Sequence, residues 1–143
     1  MVDTLAAIML VVERHDPVHQ ALNRALVLAR HFHARLDLLL YDDEHLDSPG
    51  ASRASFDGAR GRGARDYLEA LRSSIDAPGV EISIDVAGGM PLPEAVVHKV
   101  LNSCPDLVVR CSHSERGEFA RSDMRLVRVC PAPVLLTSGR PWR

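Results

Sequence analysis

The stretch "LAAIMLVVERHDPVHQALNRALVLARHF", residues 5–32, decides the fold. Its first eight residues form an unbroken apolar run with β-branched members. That is the pattern of a strand buried on both faces rather than one. Asp16 then offers a helix cap, and Pro17 suits the first helical turn. Val18, Leu22, Ala25, Ala29 and Phe32 recur at spacings of four, three, four and three, which is one helical face. A doubly buried strand feeding an amphipathic helix is the repeating unit of a parallel sheet.

The same alternation continues outward from this unit. "ARLDLLLY", residues 34–41, reads as the second strand. Residues 42–63, rich in glycine and serine, read as an irregular and mobile loop. A helix follows from Ala64, with Tyr67, Leu68, Leu71 and Ile75 on one side, and "APG" at 77–79 ends it. "VEISIDV", residues 80–86, is the third strand, and Gly88 and Gly89 make a turn. A third helix starts at Pro91 to Pro93, with Leu92, Val96 and Val100 as its buried stripe. "DLVVR", residues 106–110, is the fourth strand. A short helix over 122–129, stopped by Pro131, leads to a fifth strand from Pro133 to Thr137 and a tail at 138–143. The expected fold is α/β: a Rossmann-like, doubly wound, five-stranded parallel sheet, order 3-2-1-4-5, with helices on both faces. Residues 1–143 make one domain.

Composition narrows the function classes. A net charge of −2 gives no bulk attraction to nucleic acid or to an acidic membrane. Three cysteines, Cys104, Cys111 and Cys130, with no Cys-x-x-Cys pair, fit neither a disulfide framework nor a zinc ribbon. Reduced thiols in a cytoplasmic protein are expected, with Cys111 the exposed and reactive one and Cys130 packed as a small hydrophobe. The opening apolar run is too short to span a bilayer, so no membrane segment is expected. His15 and His19 stand at i, i+4, but no acid completes a metal set, and a solvated pair is the better reading. Arg60, Arg62 and Arg65 lie between glycines. Without aromatic interleaving they read as a solvated loop, and an RNA- or anion-binding regulator stays as an alternative. No nucleophile elbow, Walker loop or phospho-receiver acid set occurs, so no catalysis is expected.

Three segments carry a family resemblance. They are "IMLVVERHDPVHQALNRALVLARHFHARLDLL", "PEAVVHKVLNSCPDLVVR" and "DMRLVRVCPAPVLL". In that order they resemble the universal stress proteins, and the last is similar to the ending of tandem-type members, with Met124 replacing a tryptophan. The resemblance implies a regulatory stress-response module and an adenine-nucleotide crevice in those members that bind ATP. Binders carry Gly-x-x-Gly, a spacer of about nine residues and Gly-Ser/Thr, which wrap the phosphates in backbone N–H groups. Here Ser114 falls at the first glycine and Gly117 at the second. Ala120 and Arg121 fall at the Gly-Ser position, and the spacer is nearly absent. The expectation is therefore a non-ATP-binding member with no cofactor, with ATP or AMP as the alternative.

The crevice residues singled out are Val12, Glu13, Tyr41, Arg110, Ser112, His113 and Gly117, with Glu13 where most members have aspartate. Arg110, Ser112 and His113 are read first as solvated loop residues and second as holders of a small anion. The edge strand from Pro133 to Thr137 carries no protecting charge. Like the family, it is expected to pair antiparallel in a homodimer, alongside an unidentified protein partner.

Overall fold

The computed structural model describes residues 5–13, 18–42, 61–112 and 121–138. Strand β1, Ala7–Val12, lies at the centre of the sheet. It pairs in parallel with β2, Arg35–Asp42, on one side and with β4, Leu107–Ser112, on the other. Ile8 sits in register with both Leu36 and Leu107. Beyond β2 lies β3, Ile82–Gly88, and beyond β4 lies β5, Val134–Ser138. All pairings are parallel and the order is 3-2-1-4-5.

Four helices among the described residues cover the sheet. They are α1, Val18–Phe32; α2, Gly61–Ser73; α3, Leu92–Ser103; and α4, Arg121–Val129. Successive strand side chains point to opposite faces, so the apolar run of β1 feeds two cores. Ile8, Leu10 and Val12 meet Leu22, Ala25 and Ala29 of α1 and Leu68 of α2. Met9 and Val11 meet Leu92, Val96 and Val100 of α3 and Leu126 of α4. Each fully buried Leu or Ile contributes roughly 1.5–3 kcal/mol, which is why β1 tolerates no polar residue. Asp106 fixes the start of this central strand: its Oδ2 accepts the amide hydrogens of Ala6 at 2.8 Å and Ala7 at 3.0 Å.

Several sequence expectations shift. Helix α2 begins at Gly61, inside the segment read as loop, so Arg62 and Arg65 are helical; Arg60 lies outside the described residues. Asp42, placed in that loop, is instead the buried last residue of β2. Strand β3 starts two residues later than its sequence pattern suggests. Val80 donates its N–H to Ala77 in a turn through Gly79, whose φ is +89°. Gly88 stays in the strand, and the following turn is taken by Gly89 at φ +81°. Strand β4 runs two residues past Arg110 and carries Cys111 into the interior at 0% exposure. Cys111 is therefore not the reactive thiol; Cys104 is the exposed one. Strand β5 is displaced by one, so Ser138 belongs to it rather than to a tail.

Candidate functional site

The chain runs outward through β2 and β3, then returns to the other side of β1 for β4 and β5. The direction of winding thus reverses between β1 and β4, and doubly wound sheets bind ligands in the crevice past the strand ends at such a point. Glu13 directly follows β1 there, and Arg110 precedes the last two residues of β4.

Arg110 is not a solvated loop residue. It is 3% exposed and projects from β4 toward α4. Its Nε donates to Oδ1 of Asp123 at 3.3 Å, and Asp123 is itself buried in the first turn of α4. Its Nη2 reaches Oε2 of Glu13 at 3.5 Å. Glu13 is the outward member, with about a third of its side chain exposed. A buried guanidinium is tolerated only where carboxylates compensate it. The side chains are brought together because residues 9, 11, 108 and 126 place β1, β4 and α4 around one core, and residues 13, 110 and 123 continue that face toward the crevice. The carbonyl of Arg110 also accepts Oγ1 of buried Thr137 on β5, at 3.4 Å.

The other sequence-singled residues separate into groups. Val12 is fully buried against α1 and α2. Tyr41 is buried on the α3 side, and its hydroxyl donates to the Met90 carbonyl at 2.7 Å, tying β2 to the turn before α3. Ser112 ends β4, in register with Ser138. His113 and Gly117 lie outside the described residues, as do Ser114, Ala120 and His15. Local sequence pattern does not mark Asp123 as a site residue. Its spacing of three from Leu126 puts it on the buried face of α4, and an acid on such a face asks for a buried cation.

The opposite end of the same face holds an open groove of about 350 Å³, lined by Met9, Arg35, Asp37, Leu39, Ser83 and Asp85 among others. Asp37 binds Arg35 through two contacts, at 2.9 Å and 3.3 Å, and accepts the Ser83 hydroxyl. The hydrogen bond to Asp37 raises the Arg35 pKa above its ordinary value. Lys99 pairs with Asp85 at 2.7 Å. Each of these charges is already matched. Among the described residues no helix is long and apolar enough to cross a membrane. Among them, too, no three His, Cys, Asp or Glu side chains gather as metal ligands would.

Fold and sheet order define a Rossmann-like α/β domain whose switch point falls between β1 and β4. Comparison with known proteins shows what the chain is similar to. Universal stress protein E of Escherichia coli strain K12 is 26% identical over 144 residues, covering 94% of this chain and 45% of that protein. The chain thus spans about half the length of the curated relatives it matches. A universal stress protein family structure from Burkholderia pseudomallei superposes with a TM-score of 0.71 at 21% identity, covering 96% of this chain and 98% of that one. A universal stress protein solved in complex with cAMP superposes at 0.64 with 17% identity, covering 96% and 100%. No family model matches the chain. Sequence relatives and structures of like fold are alike universal stress proteins, and it is to these that the chain is similar.

Proposed function

We propose that this is a regulatory, non-catalytic universal stress domain whose crevice does not hold a nucleoside triphosphate in the usual way. The observation that carries this reading is the crevice wall itself. Where phosphate binding calls for bare backbone amides, β4 presents Arg110 already held by Asp123 and Glu13. The sequence past β4 adds support, with Ser114 and Ala120 at positions where binders have glycine. Calorimetric titration with ATP tests it. No binding is expected at millimolar ATP. A dissociation constant of about 10 μM or tighter, worth roughly 7 kcal/mol, overturns it.

A second reading, a nucleotide-binding member with an altered loop, is favoured by the relative solved with cAMP. Adenine nucleotide retained through purification, detected by mass spectrometry, decides for it.

The proposed partner is a second copy of the chain, paired antiparallel through β5. Val134, Leu135 and Leu136 are only half-buried, and β5 borders no further strand among the described residues. Leu135 packs into the α1 and α2 core, so the informative variant is Leu136→Lys. Light scattering is expected to give a dimer for the parent and a monomer for the variant. A parent that is monomeric at tens of micromolar removes the interface.

A further inference from the structure

We infer that Asp85 closes the β3 edge of the sheet to strand addition, by occupying the hydrogen-bonding place that a further strand would need. The inference goes beyond the proposed pairing through β5 and does not depend on it. The order 3-2-1-4-5 leaves two edges, β3 and β5. Edge strands offer N–H and C=O groups to any extended chain that comes alongside. The register of β3 decides which groups those are. Leu36 stands opposite Ile82 and donates its N–H to the Glu81 carbonyl at 2.9 Å. Backbone groups alternate in direction along a strand, so those of residues 81, 83, 85 and 87 face β2. Those of Ile82, Ile84 and Val86 face the edge, and no described strand lies beyond them.

Asp85 reaches over this edge. Its Oδ1 accepts the outward N–H of Val86 at 2.8 Å. That oxygen stands where the carbonyl of an added strand would have to come. Its Oδ2 meets Nζ of Lys99, from α3, at 2.7 Å, so both carboxylate oxygens are engaged and the side chain is held across the edge. An arriving strand would have to push the carboxylate off Val86. It would also bury an ion pair whose members are now 50% and 29% exposed, and desolvating both charges opposes that. Strand β5, with the sequence VLLTS, carries no charged side chain to do the same. The two edges are therefore unequal. A sheet that can be extended at one edge only stops growing once that edge is paired, whereas two open edges would propagate chain after chain.

The test compares the parent with Asp85→Val, Asp85→Asn and, as a control for replacing an exposed acid by valine elsewhere, Glu69→Val on α2. Amide hydrogen exchange is read by NMR in dilute protein, and mass by light scattering as the protein is concentrated. In the parent, the Val86 amide is expected to be better protected than that of Ile84, which also faces the edge. Asp85→Val is expected to speed exchange at Val86 about fivefold to tenfold, the loss of one hydrogen bond, and to leave Ile84 unchanged. Asp85→Asn keeps an acceptor at Oδ1 and is expected to keep Val86 protected. On concentration, Asp85→Val is expected to exceed the parent's mass increasingly, while Glu69→Val follows the parent. Asp85→Thr, polar but a good strand former, is expected to repeat the exchange result should the valine variant fold poorly. The assignment is overturned if Val86 exchanges as fast as Ile84 in the parent, or if Asp85→Val grows no larger than Glu69→Val. A monomeric parent contradicts only the β5 pairing; Asp85 variants that match the parent in exchange and in mass contradict only this assignment.

Discussion

Two arginine–aspartate pairs sit on the same face of the sheet, at opposite ends. Arg110–Asp123 lies at the crevice end with side chains 3% and 2% exposed. Arg35–Asp37 lies at the groove end with side chains 40% and 14% exposed. The second pair has the better geometry, doubly bonded and as close as 2.9 Å, yet it carries less weight. Water already solvates Arg35, so the pair replaces one good solvent with another. Arg110 has no such alternative. Removing Asp123 takes away the enclosed part of the compensation for that buried charge. Burial, rather than distance, separates a replaceable contact from one the fold depends on.

The largest effect expected from this difference is that of Asp123→Ala. It takes the enclosed carboxylate from the buried Arg110 and is expected to lower the unfolding free energy by about 3–5 kcal/mol, measured by urea denaturation. A loss below 1 kcal/mol would place the buried pair with the exposed one. The double replacement Arg110→Met with Asp123→Leu sharpens the point. Removing both charges together is expected to restore most of that stability, because the desolvation cost disappears along with the attraction. A double variant no more stable than Asp123→Ala would mean that shape, not charge, governs the site.

Thiol labelling compares the two ends without a mutation. Cys104 is exposed and is expected to react first with iodoacetamide; Cys111, fully buried beside Arg110, should react only on unfolding. Cys130 falls between, since burial pushes its thiol pKa up and keeps it neutral. For a raised pKa, the neutral thiol's contribution to stability is present below the ordinary thiol range. It is lost as pH climbs through the raised value, so Cys130 labelling should accelerate only in alkaline buffer. Equal rates for Cys104 and Cys111 at pH 8 would show that β4 opens freely. The smallest effect belongs to Asp37→Asn, expected to cost under about 1 kcal/mol and to shrink further in high salt.

Sequence made the sheet legible wherever burial was complete on both faces. The runs ending at Val12 and Tyr41 and the stripe of Leu92, Val96 and Val100 all stand where their periodicity puts them. Legibility failed where a residue type contradicted its surroundings. Arg110 looks like the polar end of a strand, which hides the last two residues of β4 and the burial of Cys111. The missing information was Asp123, a partner thirteen residues away, which local pattern cannot supply. Gly88 looks like a turn residue and instead occupies an edge strand, in register with Asp42. Glycine-spaced arginines looked irregular, yet Arg62 and Arg65 fall in a helix held to the core by Ala64 and Leu68. For the site, Glu13 and Arg110 were both named from sequence, but the bond between them was not, because it joins residues 97 positions apart.

The clamp of Asp106 on the amides of Ala6 and Ala7 has a consequence for the order of folding. It spans 100 and 99 positions of chain, and it lies on the seam where β1 meets β4. Strands β1, β2 and β3 can assemble through shorter connections, and so can β4 with β5. Joining these halves requires the longest loop closure in the sheet, whose entropy must be lost before any contact across the seam compensates it. The seam is then expected to close last and to open first. Val109→Ala, in the β4 side of that seam, should therefore speed unfolding far more than it slows refolding. A chevron in which the refolding limb moves instead would place β1–β4 pairing in the nucleus. The switch point between β1 and β4 would in that case be the joint around which the domain first organises.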